Sequence, residues 1–334
     1  MNLVCTVLLL AGWMEVEVTD AEANEPKRVV AATVGDASIF VHDVEREIAR
    51  VVKDRGIDPA VRPFWLAKTL QQLVDRELIL QWLARSEKGA SSHDIDLERA
   101  RLQRRVARRG VTWEAYLQQS GTSEPELRHV LGWQIAWSRF LRQYLVDENL
   151  QRFFDSSRRD FDGTRMRVAQ ILVAIAAPGD EPCQREAIAK AEQIRRQIVG
   201  GEMTFAEAAR TFSSAPSANQ GGDIGFMTRR EPMPEAFSKA AFALDRDGVS
   251  DPVVTSFGVH LIHCLEIQAG QRSWQAARAE VEQSVIRYLF AWAADRGRKD
   301  AKVRFTGASP YFRSGTEEVI LGEGENRTEP QQKK

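Results

Sequence analysis

Cysteine is scarce: Cys5, Cys183 and Cys264 are three residues among 334, with no CxxC pair and no cluster at metal-ligand spacing. That scarcity excludes a disulfide framework and a structural zinc site as organising devices. Cys183 and Cys264 remain available to pair with each other, although Cys264, set in an apolar run, reads as a plain buried side chain. Surplus charge of either sign is also missing. With a formal net charge of −1, the whole molecule exerts no general pull on nucleic acid or on an anionic membrane, and any such partner must be met by a local patch. Long hydrophobic runs are lacking too: Leu3 to Met14 is too short for a stable span, so no integral membrane span is expected.

Leu3 to Met14 has instead the length of a signal-peptide core, and Ala21-Glu22-Ala23 follows as a small-x-small cleavage site. Residues 1–23 therefore read as a leader. It is atypical, with no Lys or Arg ahead of the apolar run and with Glu15, Glu17 and Asp20 after it. The expected location is exported, periplasmic or cell-envelope. Hydrophobic residues make up 43% and charged residues 28%, an ordinary globular balance. The length suggests about two domains, each able to bury a core.

Val29 to Phe40 reads as two short strands about the Gly35-Asp36 turn. Asp43 then caps a helix to about Lys53. A long amphipathic helix follows from about Phe64 to Ser86, with Leu66, Leu70, Leu73, Val74 and Leu78 on one stripe. A later helix opens at the capping box Ser123-x-x-Glu126, with Pro125 in its first turn. From Ser273 to about Arg298, Trp274, Ala277, Val281, Val285, Leu289 and Trp292 recur at helical spacing. This distant helix is expected to cover the N-terminal helices, so that the two ends form one discontinuous domain. Residues 307–334 are polar and read as a disordered tail.

The middle segment alternates signals. Arg167 to Ile175 is a strand, and Glu181 to Val199 is a helix ended by Gly200-Gly201. Thr204-x-x-Glu207 caps a short helix, Ile224 to Met227 is a strand, and Pro234 to Ala243 is a further helix. Asp245-Arg246-Asp247-Gly248 is a turn, followed by strands at Val249 to Val254 and Val259 to Ile267. The order suits an α+β unit with a small antiparallel sheet and surrounding helices.

Several strings in this segment carry a resemblance: Val168-Ala169-Gln170-Ile171-Leu172-Val173, Phe205-Ala206-Glu207-Ala208-Ala209, Gly221-Gly222-Asp223-Ile224-Gly225-Phe226, Met233-x3-Phe237, and Thr255-x2-Gly258-x-His260-Leu261-Ile262. Each is weak alone; in this order over about a hundred residues they are specific. The segment resembles the parvulin (PpiC-type) peptidyl-prolyl cis-trans isomerases, and the flanks more loosely resemble the SurA/PrsA class of exported foldases. The implied organisation is a helical SurA-like domain over 24–163, a parvulin domain over 164–268, and a C-terminal helix over 269–306 packing on the first.

The resemblance implies the chemistry and its residues. Turning an X-Pro amide crosses a barrier of about 18–20 kcal/mol set by amide resonance, and a site that binds the twisted amide best lowers it. No cofactor or metal is needed. The proline slot would be Ile224, Met233 and Phe237, with Phe257 at its rim; helical spacing would set Met233 and Phe237 on one face. His260, Thr255 and Gln170 would form the polar side. Gln170 stands where the family commonly has the first of two histidines, and Ala215 where it commonly has Cys or Asp. The loop 176–184 lacks the basic cluster of phosphate-directed members, so phosphorylated targets are not expected.

Unfolded or proline-containing polypeptides are the implied clients, and oligomeric state is not readable. Two functions stay open: an isomerase with chaperone activity, and a catalytically weak or inactive parvulin-fold chaperone that holds client chains. A third reading takes Arg99, Arg101, Arg104, Arg105, Arg108 and Arg109 as a basic patch for nucleic acid or anionic lipid. Those arginines spread around the helix without interleaved aromatics, which favours a solvated face and no nucleic-acid partner. His42, His93, His129 and His263 have no nucleophile context.

Overall fold

The computed structural model describes residues 29–52, 56–177, 180–314, 316 and 318–321. The expected leader at 1–23 lies outside the described residues. Chain order begins β1 (Val30–Val34), β2 (Ala37–Phe40), α1 (Val41–Val52), α2 (Arg62–Arg85), α3 (Ser92–Ala107), α4 (Trp113–Gln119) and α5 (Glu124–Arg142). It continues α6 (Asp147–Ser156), β3 (Arg165–Val173), α7 (Glu181–Val199), α8 (Phe205–Phe212), β4 (Asp223–Thr228) and α9 (Glu235–Phe242). The last elements are β5 (Val253–Thr255), β6 (Gly258–Gln268), α10 (Trp274–Arg298), β7 (Val303–Phe305), β8 (Tyr311–Phe312) and β9 (Val319–Ile320). Among the described residues no helix is long and apolar enough to cross a membrane.

The chain divides into two compact units, one of residues 1–146 with 283–334 and one of 147–282. In the first, β7 pairs antiparallel with β1, setting Ala32 opposite Phe305 and Val34 opposite Val303, so strands from before and after the central unit share one sheet. Its core joins Ala32, Val34, Val44 and Val303 to the α2 stripe Leu70, Val74 and Leu78. The second half of α10 meets α2 and α5 through aromatic rings. Trp82 stands edge-on to Trp292, and Phe290 is edge-on to Trp137, which stacks between Trp133 and Phe140. The capping box at Ser123 and Glu126 forms as its spacing implies.

Three expectations change. The boundary expected after 163 falls at 146, because Phe153 and Phe154 of α6 turn onto Phe161, and Arg159 donates to the Leu244 carbonyl at 2.8 Å, all within the central unit. The tail expected over 307–334 has structure where it is described: Tyr311 stacks on Phe305, Phe312 meets Phe64 edge-on, and β8 pairs with β9, while 322–334 lie outside the described residues. The strand expected from Val249 shrinks to β5. Pro252 has no N–H for a ladder, and Ser250 uses both its backbone and its hydroxyl to bond Ile262.

The central unit is built on the antiparallel sheet β4-β3-β6-β5. Alternation along β3 and β6 sends Ala169, Ile171, Val173, Val259 and Leu261 to one face, against α7 and α8. Met166, Val168, Ile262 and Cys264 go to the other, against Phe237, Ala241 and Phe242 of α9. Both faces being covered, β3 reads as a nearly continuous apolar run. Cys183 and Cys264 are both free thiols. In α3, Arg99 pairs with Glu124, and Arg101 and Arg105 pair with Glu98, so half of the six arginines are met by acids.

Candidate functional site

Three polar side chains lie in a row across three neighbouring strands on the α9 face of the sheet. Leu172 is opposite His260 in the β3–β6 ladder, which puts Gln170 diagonal to the histidine on the same face. Val253 is opposite His260 in the β5–β6 ladder, and Thr255 is the matching diagonal neighbour on the other side. The row closes by hydrogen bonds: Gln170 Oε1 lies 3.0 Å from His260 Nδ1, and His260 Nε2 lies 2.8 Å from Thr255 Oγ1.

These contacts have one consistent proton arrangement for a neutral imidazole. Gln170 Oε1 can only accept, so Nδ1–H donates to it, and Nε2 accepts the Thr255 hydroxyl proton. The Thr255 oxygen then accepts from the Phe257 N–H at 3.1 Å. Burial pushes the His260 imidazole down to about 4, so it is uncharged near neutrality. His260 and Gln170 are buried, whereas Thr255 keeps part of its surface in solvent. Accessible polarity in the row therefore belongs to Thr255, and the other two orient it.

Gly222 holds Gln170 from the β4 side. Its carbonyl accepts from the Gln170 N–H at 2.8 Å, and its φ of +85° is one that L side chains rarely adopt. A Cβ there would lie 2.4 Å from the Gln170 carbonyl oxygen. The Gly-Gly string thus admits close approach of two backbones beside the buried glutamine.

The apolar residues separate by depth. Ile224 and Met233 are half-buried and pack on the α9-side core, and Phe257 stands 66% exposed at the β5–β6 turn. Phe237 has no exposed surface, and its ring stands edge-on to His260 with centroids 5.3 Å apart. It underlies the polar row instead of facing solvent, because it packs in the core between α9 and the sheet; α9 begins only at Glu235, after Met233. The expected pair on one helical face is therefore not formed. Ala215 is buried, its N–H donating to Ser213 Oγ, which also accepts from the Leu172 N–H. Ser213 is a site residue that no spacing in the sequence marks; it stands two positions before Ala215. An open hollow of about 540 Å³ is lined by Pro216, Ser217, Gln220, Asp223, Ile224 and Gly225, and Ile224 is the one expected slot residue in its wall.

A family model for the PPIC-type PPIASE domain, the rotamase, matches residues 171–266, which run from within β3 to within β6 and include His260 and Thr255, with Gln170 one position ahead. Residues 171–266 are a parvulin domain. Chaperone SurA of Alkalilimnicola ehrlichii is 29% identical over 279 residues, covering 79% of this chain and 63% of the relative. Foldase protein PrsA of Bacillus subtilis is 43% identical over 72 residues, 22% of this chain and 24% of the relative. A solved peptidylprolyl isomerase (PrsA) from Bacillus anthracis aligns over 69% of this chain and 95% of its own at 18% identity, with a TM-score of 0.35. The chain spans less than two thirds of the length of the SurA relatives from Alkalilimnicola ehrlichii and Hahella chejuensis. Beside this parvulin assignment, Gln170 and Thr255 flank the buried histidine on its two sides, and Ala215 contributes no side-chain polarity.

Proposed function

We propose that the chain is a peptidyl-prolyl cis-trans isomerase and folding chaperone acting on exported polypeptides. The observation that carries this reading is the closed, neutral row Gln170–His260–Thr255, which holds one accessible hydroxyl on the α9 side of the sheet, the side on which the half-buried Ile224 and Met233 pack. A proline ring seated on Ile224 and Met233 would bring its preceding amide to Thr255. Twisting that amide decouples nitrogen from carbonyl, lengthening the C–N bond and leaving a more basic nitrogen and a less charged oxygen. A fixed dipole at Thr255 and a shape that fits the twisted form lower the barrier with no bond made or broken. His260 and Gln170 act by holding the hydroxyl in place, and Phe237 supports the imidazole from beneath.

The helical first unit supplies the chaperone part of the reading, in keeping with the chaperone and foldase names of the relatives. The leader-like string at 1–23 supports export. Polypeptide clients follow from both.

A protease-coupled assay with a proline tetrapeptide tests the enzyme. The wild-type chain is expected to accelerate isomerisation, and Thr255→Val to slow it about tenfold, equivalent to about 1.4 kcal/mol of barrier. Adding Met233→Ala is expected to remove the remainder while the circular-dichroism spectrum is retained. A wild-type chain that binds unfolded protein yet never accelerates the peptide would overturn the isomerase part of this reading.

A further inference from the structure

His263 lies three positions beyond His260 on β6 and so faces the opposite side of the sheet. There its ring leans on Phe205, centroids 5.0 Å apart, at the floor of an open hollow of about 600 Å³. The walls come from the end of α7, the turn into α8, and the segment Asp247 to Val249. The hollow is open to solvent and does not enclose a ligand, which suits side chains of a bound segment better than a caged small molecule.

Two features of the lining define an occupant. The apolar part is Val199, Met203 and Val249, and Val199 stands 64% exposed where α7 gives way to Gly200-Gly201. The polar part is acidic: Glu202, Glu207 and Asp247 all line the hollow, and no Lys or Arg is among its described lining residues. Glu207 is held ionised by the Thr204 backbone and hydroxyl at the start of α8. The cation nearest Asp247 is Arg246, at a loose 4.0 Å. Burial holds His263 below its usual range, so it adds no compensating charge near neutrality. An apolar wall rimmed by one sign of charge selects a ligand carrying apolar surface and the opposite sign.

We propose that this groove is a second polypeptide-binding site of the central unit, taking an extended segment in which an apolar side chain neighbours Lys or Arg. It needs no proline and does not depend on the isomerase reading. A client engaged here would be held by the same unit whose other face carries the polar row.

The test uses the full chain and two labelled, proline-free peptides, one alternating Leu with Arg and one alternating Leu with Glu, followed by fluorescence anisotropy. The Leu/Arg peptide is expected to bind and the Leu/Glu peptide to bind much more weakly. The double variant Val199→Ser, Asp247→Asn changes two exposed side chains and should weaken the Leu/Arg peptide by about five- to tenfold, the effect expected of one apolar contact and one exposed charge pair. It should leave proline-peptide turnover unchanged. The double variant Met233→Ala, Thr255→Val should do the reverse. Equal binding of both peptides, unchanged binding by the groove variant, or loss of binding only in the Met233/Thr255 variant each overturns the proposal. A concentration-dependent dimer that the groove variant abolishes would assign the face to a second copy of this chain and overturn it as well.

Discussion

His260 is the residue on which the site turns, and its environment sets a pH dependence. Burial lowers its folded pKa to about 4, below the ordinary 6.5 that it regains on unfolding. Between these values the unfolded chain binds the extra proton, so stability rises with pH in that window. The contribution is fully present above about 6.5 and is lost as pH falls toward about 4, at most roughly 3 kcal/mol for a shift of this size. Denaturant titrations across that range should show the slope, and His260→Gln should flatten it. Gln170→Ala strands the Nδ1–H in a buried position, which should cost about 1–3 kcal/mol in the same titrations. Turnover should fall with it, because Thr255 loses the partner that is itself held by Gln170.

At the scale of elements, the first unit depends on α10 meeting α2 and α5. Trp137 has no exposed surface, is stacked between two rings and faces Phe290 edge-on. Trp137→Ala should cost about 3–5 kcal/mol through the cavity it leaves. Its indole Nε1 has no hydrogen-bond partner. Trp137→Phe should therefore cost much less, since it keeps the stack and removes an unpaired buried donor. Thermal denaturation of the two variants side by side checks the ordering. The capping boxes at Ser91, Ser123 and Thr204 all form, and their legibility is simple: each depends on residues three apart and on nothing distant.

For the whole molecule, the division at 146/147 and 282/283 sets different fates for two truncations. Residues 147–282 contain a complete four-stranded sheet with apolar cores on both faces. That fragment should fold alone, unfold cooperatively and keep proline-peptide turnover. A chain ending at Glu282 deprives β1 of its β7 partner and α5 of Phe290. Its first unit should lose its cooperative transition while turnover survives. Limited proteolysis with mass spectrometry, alongside thermal melts, reads both outcomes.

Local chemistry alone determined the helix limits set by caps and glycines, the apolar stripe of α2, the period-two strands β3 and β6, and the parvulin strings. Those features depend on neighbours a few residues apart, so a linear reading reaches them. Tertiary structure decided the rest. Phe237 became a buried support because α9 packs it against the sheet under His260, and Gln170 became a hydrogen-bond partner because strand register brought it diagonal to a histidine ninety positions away. Tyr311 and Phe312 acquired order through ring partners, Phe305 and Phe64, that the fold supplies. In each case what mattered was which side chain met which across a long loop of chain, a quantity fixed by packing and strand pairing and not by local propensity.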